Sequence, residues 1–255
     1  MKELKIIKVG GKIVEESDSL RELLDRFEHL EGSKILVHGG GRAATTMSEK
    51  LGIETKMIDG RRITDAETLD VVTMVYGGKV NKKIVIELQN RNINAVGLTG
   101  ADMNCVSSTK RIVKDIDYGY VGDIKNVNVA SFKTIIDSGI VPVVAPLSYD
   151  HDLGSMLNTN ADTMASEIAI ALSSEYRVSL VYCFEKKGVL LNHKDNDSVI
   201  NSLSEEHYED LKSKRIITDG MIPKLDNAFN AKSKGVYSIR ITNHMSIAKR
   251  EGTVI

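Results

Sequence analysis

The sequence predicts an α/β protein whose mainly parallel central sheet is covered by helices on both faces. Short runs rich in β-branched residues alternate with helix-patterned segments from end to end, and no internal repeat or low-complexity linker interrupts them. Such alternation is typical of parallel sheets built from strand–helix–strand units. The chain has 255 residues and 42% hydrophobic content, which is enough for a substantial core.

Six apolar runs are predicted to form the strands of this sheet. They are residues 5–9, 34–38, 94–98, 141–145, 177–183 and 237–242, and the terminal GTVI is expected to add a further strand. Between the first two runs, one helical face carries Leu20, Leu23, Leu24, Phe27 and Leu30. This spacing predicts an ordinary covering helix.

A start signal followed by a long apolar stripe predicts a second helix of about 24 residues. Thr64 and Glu67 have the spacing of a capping box. The apolar stripe then continues through Leu69, Val72, Tyr76, Val80, Ile84 and Leu88. Gly77 and Gly78 in its middle each cost about 1 kcal/mol relative to Ala, so they require a reason such as the close approach of another helix. We therefore expect this helix to cross its copy in a homodimer.

Charge and cysteine content exclude several classes of partner. With 34 basic and 35 acidic residues the net charge is −1, so neither nucleic acid nor an anionic membrane is expected to bind. Cys105 and Cys183 have no metal-ligand or redox spacing and are expected to be small core residues in a reducing compartment. The sequence begins with a strand-like run and has no apolar window of about 18 residues, so a cytoplasmic protein is expected.

Two strands run into glycine clusters that precede helices: KVGGK (residues 8–12) and VHGGGR (residues 37–42). Backbone N–H groups in such turns can face an anion without interference from a Cβ atom, although paired glycines also serve simple tight turns. The chain lacks the P-loop pattern G-x-x-x-x-G-K-[ST] and the dinucleotide pattern G-x-G-x-x-G. It also lacks the G-x-S-x-G elbow that an esterase with an HGGG loop requires.

Several charged and amide side chains have two interpretations each. Lys8 can reach a phosphate, or its stem can pack on the sheet while its ammonium reaches water. Lys224 follows Pro223 at the start of a predicted helix, where a cation opposes the helix dipole unless an anion lies nearby. In LNTNAD (residues 157–162), Asn160 and Asp162 suit a helix start, but Asn158 is left without a structural role.

Eight motifs in order resemble the N-acetylglutamate kinase family of the amino acid kinase superfamily. They are KVGGK, VHGGGR, DGRRITD, GKVNK, NAVGLTGAD, GYVGDI, LNTNAD and ITDGMIPKLDNA, and together they span roughly residues 5–235. The resemblance implies an open three-layer αβα sandwich that uses ATP and Mg²⁺ to phosphorylate the γ-carboxylate of an N-acylglutamate, in the second step of arginine synthesis. A seam near SSEYR, together with this family's organisation, suggests an acylglutamate-binding and dimerisation lobe (1–173) and an ATP-binding lobe (174–255) that hinge together.

The resemblance also implies a role for particular residues, and none of them is a metal ligand. The acylglutamate would be held by Gly40, Gly41, Arg62 and Asn158. ATP would contact Gly10, Gly11, Glu185, Gly188, Ile217 and Thr218. The transferring phosphoryl group would be stabilised by Lys8 and Lys224, with Asp162 orienting both lysines. Because the acceptor carboxylate has a pKa near 4.3 and is already ionised at pH 7, such a reaction requires no general base.

Several points depart from the family pattern or leave alternatives open. Arg61 replaces the apolar residue that usually precedes Arg62, and we hypothesise that it contacts a second acidic group on a larger acyl chain such as succinyl. CFEKKGVL has Glu185 where the family usually has an Asp. A sister kinase acting on N-acylaminoadipate or aspartate, and a non-catalytic amino-acid sensor, are the alternative functions. The family's long N-terminal helix, which accompanies hexamers and arginine inhibition, does not precede the first strand, so we expect an arginine-insensitive dimer.

Overall fold

The computed structural model describes residues 1–58, 61–113, 115–218, 220–249 and 251–255. Asp59 and Gly60 of the DGRRITD motif and Asp219 of the ITDGMIPKLDNA motif lie outside this description. The strands are β1 (Lys2–Val9), β2 (Ser33–His38), β3 (Met57–Ile58), β4 (Arg61–Arg62), β5 (Ala95–Leu98), β6 (Val106–Lys110), β7 (Gly122–Val127), β8 (Val141–Val144), β9 (Leu147–Asp150), β10 (Ser155–Asn158), β11 (Tyr176–Phe184), β12 (Ser238–Asn243) and β13 (Thr253–Val254).

The helices alternate with these strands along the chain. They are α1 (Gly11–Glu15), α2 (Ser17–Glu28), α3 (Gly41–Leu51), α4 (Ala66–Val72), α5 (Asn81–Gln89), α6 (Val129–Asp137), α7 (Ala161–Leu172), α8 (Glu205–Ser213) and α9 (Met221–Ser233). A π-helical segment (Thr73–Val80) joins α4 to α5, and a 3-10 turn covers Asp102–Asn104. Within the described part of the chain, none of these helices combines the length and the apolar character needed to cross a membrane.

The central sheet has seven strands in the order β13-β12-β11-β1-β2-β8-β5. All neighbours are parallel except β12 and β13, so each of the six predicted strands and the strand predicted at GTVI is confirmed. β1 pairs with β11 along its whole length, from Lys2 opposite Tyr176 to Val9 opposite Cys183. The two predicted lobes therefore share one continuous sheet.

Side chains alternate between two cores, one on each face of the sheet. On β1, Ile6 packs into the core that contains α6 to α9, whereas Ile7 packs into the core that contains α1 to α5. The predicted three-layer αβα sandwich is confirmed by this arrangement. Both cysteines are buried and free, as expected.

A second sheet of four strands, in the order β10-β9-β6-β7, was not predicted. Its strands are short and carry many polar residues, so they lack the β-branched runs that identified the central sheet. The hydroxyl groups of Ser108, Ser148 and Thr159 form a buried chain of hydrogen bonds, each 2.7 Å long, in its middle. These bonds satisfy polar groups that burial would otherwise leave unpaired.

The long helix is present but differs in two respects from its prediction. The capping box at Thr64 and Glu67 is wrong, because Asp65 is the N-cap and its carboxylate accepts the N–H of Thr68 at 2.9 Å. The middle of the helix is π-helical, which a pattern with a period of 3.6 residues does not distinguish. The presence of Gly77 is explained by packing within the same chain, because a Cβ at this position would lie only 3.3 Å from Thr99 Cγ2.

Candidate active site

The candidate site lies where β1 and β2 end, at the point where the strand order changes direction. From β1 the chain continues to β2 on one side, while β11 pairs with the other side of β1. In open α/β sheets ligands bind outside the carboxyl ends of the strands at such a switch point. The two glycine turns, residues 10–11 and 39–41, follow these strands directly.

A carboxylate and two lysines form a buried ion cluster at this edge. Asp162 lies in the first turn of α7. Its Oδ1 atom is 2.7 Å from Lys8 Nζ, and both of its carboxylate oxygens are 2.9 Å from Lys224 Nζ. The side chains of Lys8, Asp162 and Lys224 are only 9%, 15% and 10% exposed. Lys8 therefore does not extend its ammonium to water, and its contact with a phosphate stays a prediction.

The cluster contains more positive than negative charge, because two lysines face one carboxylate. Burial would raise the pKa of Asp162, but the two ammonium groups outweigh burial and hold that pKa well below its usual range. Burial and the neighbouring Lys8 lower the pKa of Lys224, while Asp162 acts in the opposite direction. Two cations share one carboxylate, and among the described residues neither lysine has another acidic partner within 4.0 Å. The excess positive charge favours the binding of an anion.

The two glycine turns approach each other beside this cluster. A Cβ atom on Gly11 would lie 3.2 Å from the backbone nitrogen of Gly40 and 3.5 Å from that of Gly41. The Gly10 N–H donates to the carbonyl oxygen of Cys183 at 2.9 Å. In the described part of the chain, the N–H groups of Gly11, Gly40 and Gly41 have no acceptor, as is usual for the first residues of helices. Three unpaired N–H donors from the two turns are therefore available to an anion.

A cavity of about 370 Å³ extends from these turns, within the range typical of small-molecule sites. Arg62 forms part of its wall, and its buried guanidinium donates to Gly41 O and to the hydroxyl of Thr45 at 2.8 Å each, and to Thr55 Oγ1 at 3.2 Å. No carboxylate of the described residues lies within 4.0 Å of it. Asn158 also lines the cavity and donates to Thr64 Oγ1 at 2.9 Å.

The start of α7 confirms the interpretation of Asn160 as a helix cap. Its side-chain oxygen accepts the N–H groups of Asp162 at 2.8 Å and of Thr163 at 3.1 Å. The cap fixes the first turn of α7, and this turn carries the carboxylate that the two lysines share. Capping and the ion cluster are therefore parts of the same local structure.

The residues predicted to contact ATP beyond the glycine turns are less closely grouped. Glu185 lies 3.9 Å from Lys12 and is partly exposed. Gly188 is buried, and a Cβ there would lie 2.7 Å from Thr253 Oγ1, so packing on β13 already explains this glycine. The Ile217 side chain is buried in the core, whereas Thr218 is exposed. The predicted role of these four residues remains a prediction.

Sequence reasoning missed several residues that shape the cavity. Thr45 and Thr55 hold Arg62, and the ring of Tyr76 lies so close to Gly40 that a Cβ there would come within 2.9 Å of it. Arg111 also lines the cavity and is paired with Asp123 at 2.6 Å. Tyr76 was recognised only as part of the apolar stripe of the long helix, and the other residues belong to no recognisable pattern, because each is brought to the site from a separate element.

Fold and site together define an α/β protein with a crevice and a buried lysine pair at the switch point of its sheet. The chain belongs to the amino acid kinase family, since the model of that family matches residues 3–243. It is 59% identical over 256 residues to the acetylglutamate kinase of Phocaeicola vulgatus, covering 100% of this chain and 99% of the relative. It is 56% identical to the acetylglutamate kinase of Bacteroides thetaiotaomicron, covering 99% and 98%.

A solved structure supports the same fold. The crystal structure of smu.665 from Streptococcus mutans UA159 superimposes with a TM-score of 0.83 at 26% identity, covering 99% of this chain and 98% of that chain. These comparisons confirm the family that the eight sequence motifs predicted. The roles of individual residues are a separate matter and rest on the geometry described above.

The ion cluster predicts how Lys224 titrates. Asp162 is the strongest influence that favours the charged form of Lys224, so the Asp162→Asn substitution leaves burial and Lys8 unopposed. We expect NMR of protein labelled with ¹³C at the lysine Cε to show Lys224 titrating below the exposed lysines. In Asp162→Asn its midpoint should fall further, because the carboxylate that favours the charged form is gone.

The matched control is Asp137→Asn, which removes an exposed carboxylate that pairs with Lys2 and Lys133. It should leave the Lys224 midpoint unchanged. The Lys224 signal is assigned by its loss in Lys224→Arg. A Lys224 midpoint equal to that of the surface lysines, or one that Asp162→Asn does not lower, would contradict the electrostatic description.

Proposed function

We propose that this protein is an acylglutamate kinase, which transfers the γ-phosphoryl group of ATP to the γ-carboxylate of N-acetyl-L-glutamate or another N-acylglutamate in the second step of arginine synthesis. The observation that carries the proposal is the buried pair of lysines, Lys8 and Lys224, bridged by Asp162 beside two glycine turns. The relatives named acetylglutamate kinase at 59% and 56% identity support the same function.

The chemistry explains why such a site suffices. An acceptor carboxylate is already ionised at neutral pH, so the protein has no proton to remove. The obstacle is that one anion must approach another along the line of transfer, and catalysis therefore consists of positioning and charge stabilisation. In this proposal Lys8 and Lys224 neutralise the charge of the transferring phosphoryl group. Asp162 holds both ammonium groups in place and limits their mutual repulsion.

The acylglutamate occupies the cavity in this proposal. The planar guanidinium of Arg62 can bind both oxygens of the α-carboxylate, and three hydrogen bonds already hold it in position. Asn158, which also lines the cavity, contacts the substrate as a second donor. The N–H groups of Gly40 and Gly41 bind the γ-carboxylate and point it toward the lysines.

ATP binds on the other side of the lysine pair. Gly10 and Gly11 lie against the phosphates, where a Cβ on Gly11 would come within 3.2 Å of the Gly40 backbone nitrogen. The adenosine moiety would extend over residues 174–255 toward Glu185, Gly188, Ile217 and Thr218. The donor set of the site suits nucleotide phosphates, which present several anionic oxygens to backbone N–H groups and ammonium groups.

Mg²⁺ is part of this proposal as an ion that accompanies the nucleotide. Among the described residues there is no group of three or more His, Cys, Asp or Glu side chains that could hold a metal. The Asp162 carboxylate is also engaged by two lysines. Mg²⁺ usually keeps several waters and binds mainly through substrate phosphates, which fits a site of this kind. When bound, it would supply additional positive charge to the phosphates.

The two alternative functions differ in what they require of the site. A sister kinase acting on N-acylaminoadipate or aspartate would use the same lysines with a cavity of another length. A non-catalytic sensor would have no need of a charged phosphoryl-transfer site, yet Lys8, Lys224 and Asp162 are all present and assembled. The assembled cluster therefore favours an enzyme.

Removing either lysine should abolish most of the activity. We expect Lys8→Ala and Lys224→Ala each to lower kcat more than a hundredfold, because a loss of about 3 kcal/mol of transition-state stabilisation already has that effect. The measurement is the rate of ADP release, with circular dichroism to verify folding. Lys2→Ala is the matched control on the same strand, because its ammonium is exposed. A near-normal kcat in either site variant would refute the proposed roles.

The acyl group can be determined in the same assay. Wild type and Arg61→Ala are compared with N-acetylglutamate, N-succinylglutamate, N-acetylaminoadipate and aspartate. Arg61 is exposed at the cavity wall. If it binds a second carboxylate, Arg61→Ala should raise KM for the succinyl substrate by about tenfold, as expected for loss of a charged contact of about 1.5 kcal/mol, and leave the acetyl substrate unaffected.

The outcomes of this assay separate the proposals. Equal turnover of both acylglutamates by wild type and Arg61→Ala would remove the hypothesis about Arg61. Preference for aminoadipate or aspartate would indicate a sister kinase. Absence of activity with all four acids would contradict the proposed kinase function.

We also propose a homodimer formed through the long helix. Met74 and Ile86 on this helix are more than half exposed, and a Cβ on Gly78 would meet nothing within 4 Å. Light scattering at micromolar concentration should give twice the chain mass of 28.1 kDa. Ile86→Glu should shift this mass to the monomer, whereas Leu51→Glu, which changes an exposed leucine on α3, should not. A monomeric wild type would contradict the dimer.

A further inference from the structure

His38 is a fully buried imidazole at the end of β2, directly before the second glycine turn. Its Nδ1 atom lies 2.8 Å from the carbonyl oxygen of Gly39. Its Nε2 atom lies 3.2 Å from Asn81 Nδ2, and the same amide nitrogen lies 2.9 Å from Val143 O on β8. The ring therefore links the glycine turn to the first residue of α5.

These contacts fix every proton in the network. Val143 O can only accept, so the carboxamide nitrogen of Asn81 is the donor in that bond and also faces His38 Nε2. Gly39 O can likewise only accept, so the hydrogen is on His38 Nδ1. Burial lowers the pKa of His38 to about 4, which keeps the ring neutral at physiological pH. Asn81 thus selects the tautomer that donates to Gly39.

The position of Asn81 is itself built into the fold. A Cβ atom on Gly97, in β5, would lie 1.7 Å from Asn81 Oδ1. The carboxamide can occupy its place only because residue 97 has no side chain. Asn81 also follows the π-helical segment directly, in a helix that packs on the sheet.

The hydrogen bond from His38 determines the orientation of the Gly39–Gly40 peptide. Gly39 and Gly40 lack Cβ atoms, so this peptide plane would rotate easily without a restraint. The Gly39 N–H is held by Val9 O at 2.9 Å, and the Gly39 carbonyl is held by the imidazole. In a planar trans peptide the C=O and the following N–H point in opposite directions. The Gly40 N–H therefore points away from His38.

We propose that His38 is a positioning residue: in the tautomer set by Asn81, it holds the Gly39–Gly40 peptide so that the Gly40 N–H faces the cavity and donates to the acceptor carboxylate. The inference rests on the proposed acylglutamate kinase function for the identity of the carboxylate. The orientation itself follows from the contacts of His38. Rotation of this peptide would present a carbonyl oxygen to the substrate anion in place of a donor.

Two substitutions of His38 separate positioning from simple packing. The amide nitrogen of Asn is two bonds from Cβ, like Nδ1 of His, so His38→Asn can keep the donor to Gly39 O. The amide of Gln is three bonds from Cβ, like Nε2, so His38→Gln can keep the contact with Asn81 and loses the one with Gly39. We expect His38→Gln to lower kcat/KM for the acylglutamate about a hundredfold, the usual effect of losing one oriented donor. KM for ATP should stay within about twofold.

His38→Asn should avoid most of this loss, with kcat/KM at least tenfold above that of His38→Gln by the same reasoning. Equal losses in the two variants, or an equal rise of both substrates' KM values, would indicate packing alone and overturn the proposal. Thermal unfolding of each variant establishes that it is folded.

A measurement without turnover tests the same idea in the unmodified protein. A long-range ¹H–¹⁵N NMR spectrum of wild type labelled with ¹⁵N-histidine should show His38 as the neutral Nδ1–H tautomer, and its signal is assigned by its absence in His38→Asn. The Nε2–H tautomer would overturn the proposal even if neither variant is active. If wild type shows the Nδ1–H tautomer but phosphorylates no acylglutamate, the proposed function fails while the orientation of the peptide stands.

Discussion

The shared carboxylate of Asp162 is the interaction on which the rest of the site depends. Two ammonium groups cannot lie side by side in a buried place without an anion between them, because their repulsion adds to the cost of desolvating each one. The carboxylate of Asp162 forms ion pairs with both Lys8 and Lys224, and one positive charge remains in excess. The fold thus holds an excess of positive charge at this place, which the proposed function requires for a dianionic phosphoryl group.

Three separate elements must meet to form this cluster. Lys8 comes from β1, Asp162 from the first turn of α7, and Lys224 from the first turn of α9. Position 8 belongs to the face of β1 that carries Ile6, and this face is covered by the layer containing α7 and α9. The alternation of side chains along a strand therefore directs Lys8 toward its partners. The Asn160 cap then fixes the turn from which Asp162 projects.

Sequence reasoning recovered the central sheet because its strands are continuous apolar runs, which burial on both faces produces. It missed the second sheet, whose short strands place Ser108 and Ser148 in a buried hydrogen-bond chain. It also placed the cap of the long helix at Thr64 in place of Asp65, since both residue types satisfy the same preference. Boundaries of this kind depend on one hydrogen bond and are not specified by periodicity.

The site was accessible from sequence only in part. Motif order brought Lys8, Asp162 and Lys224 to attention, but no spacing along the chain gives the distances among residues that lie on three elements. The network of His38 was also out of reach, because a histidine before glycines has many uses. Its partner Asn81 is 43 positions away. Such contacts depend on how the sheet and its helices pack, which only the folded chain specifies.

The most direct test of this account is the structure of a complex with a non-hydrolysable ATP analogue, Mg²⁺ and N-acetylglutamate. The account predicts that the ammonium groups of Lys8 and Lys224 both lie within hydrogen-bonding distance, about 3 Å, of the phosphoryl group that faces the γ-carboxylate. Asp162 should remain bonded to both. A phosphoryl group located away from either lysine, or an Asp162 that leaves them to bind the metal, would contradict the account.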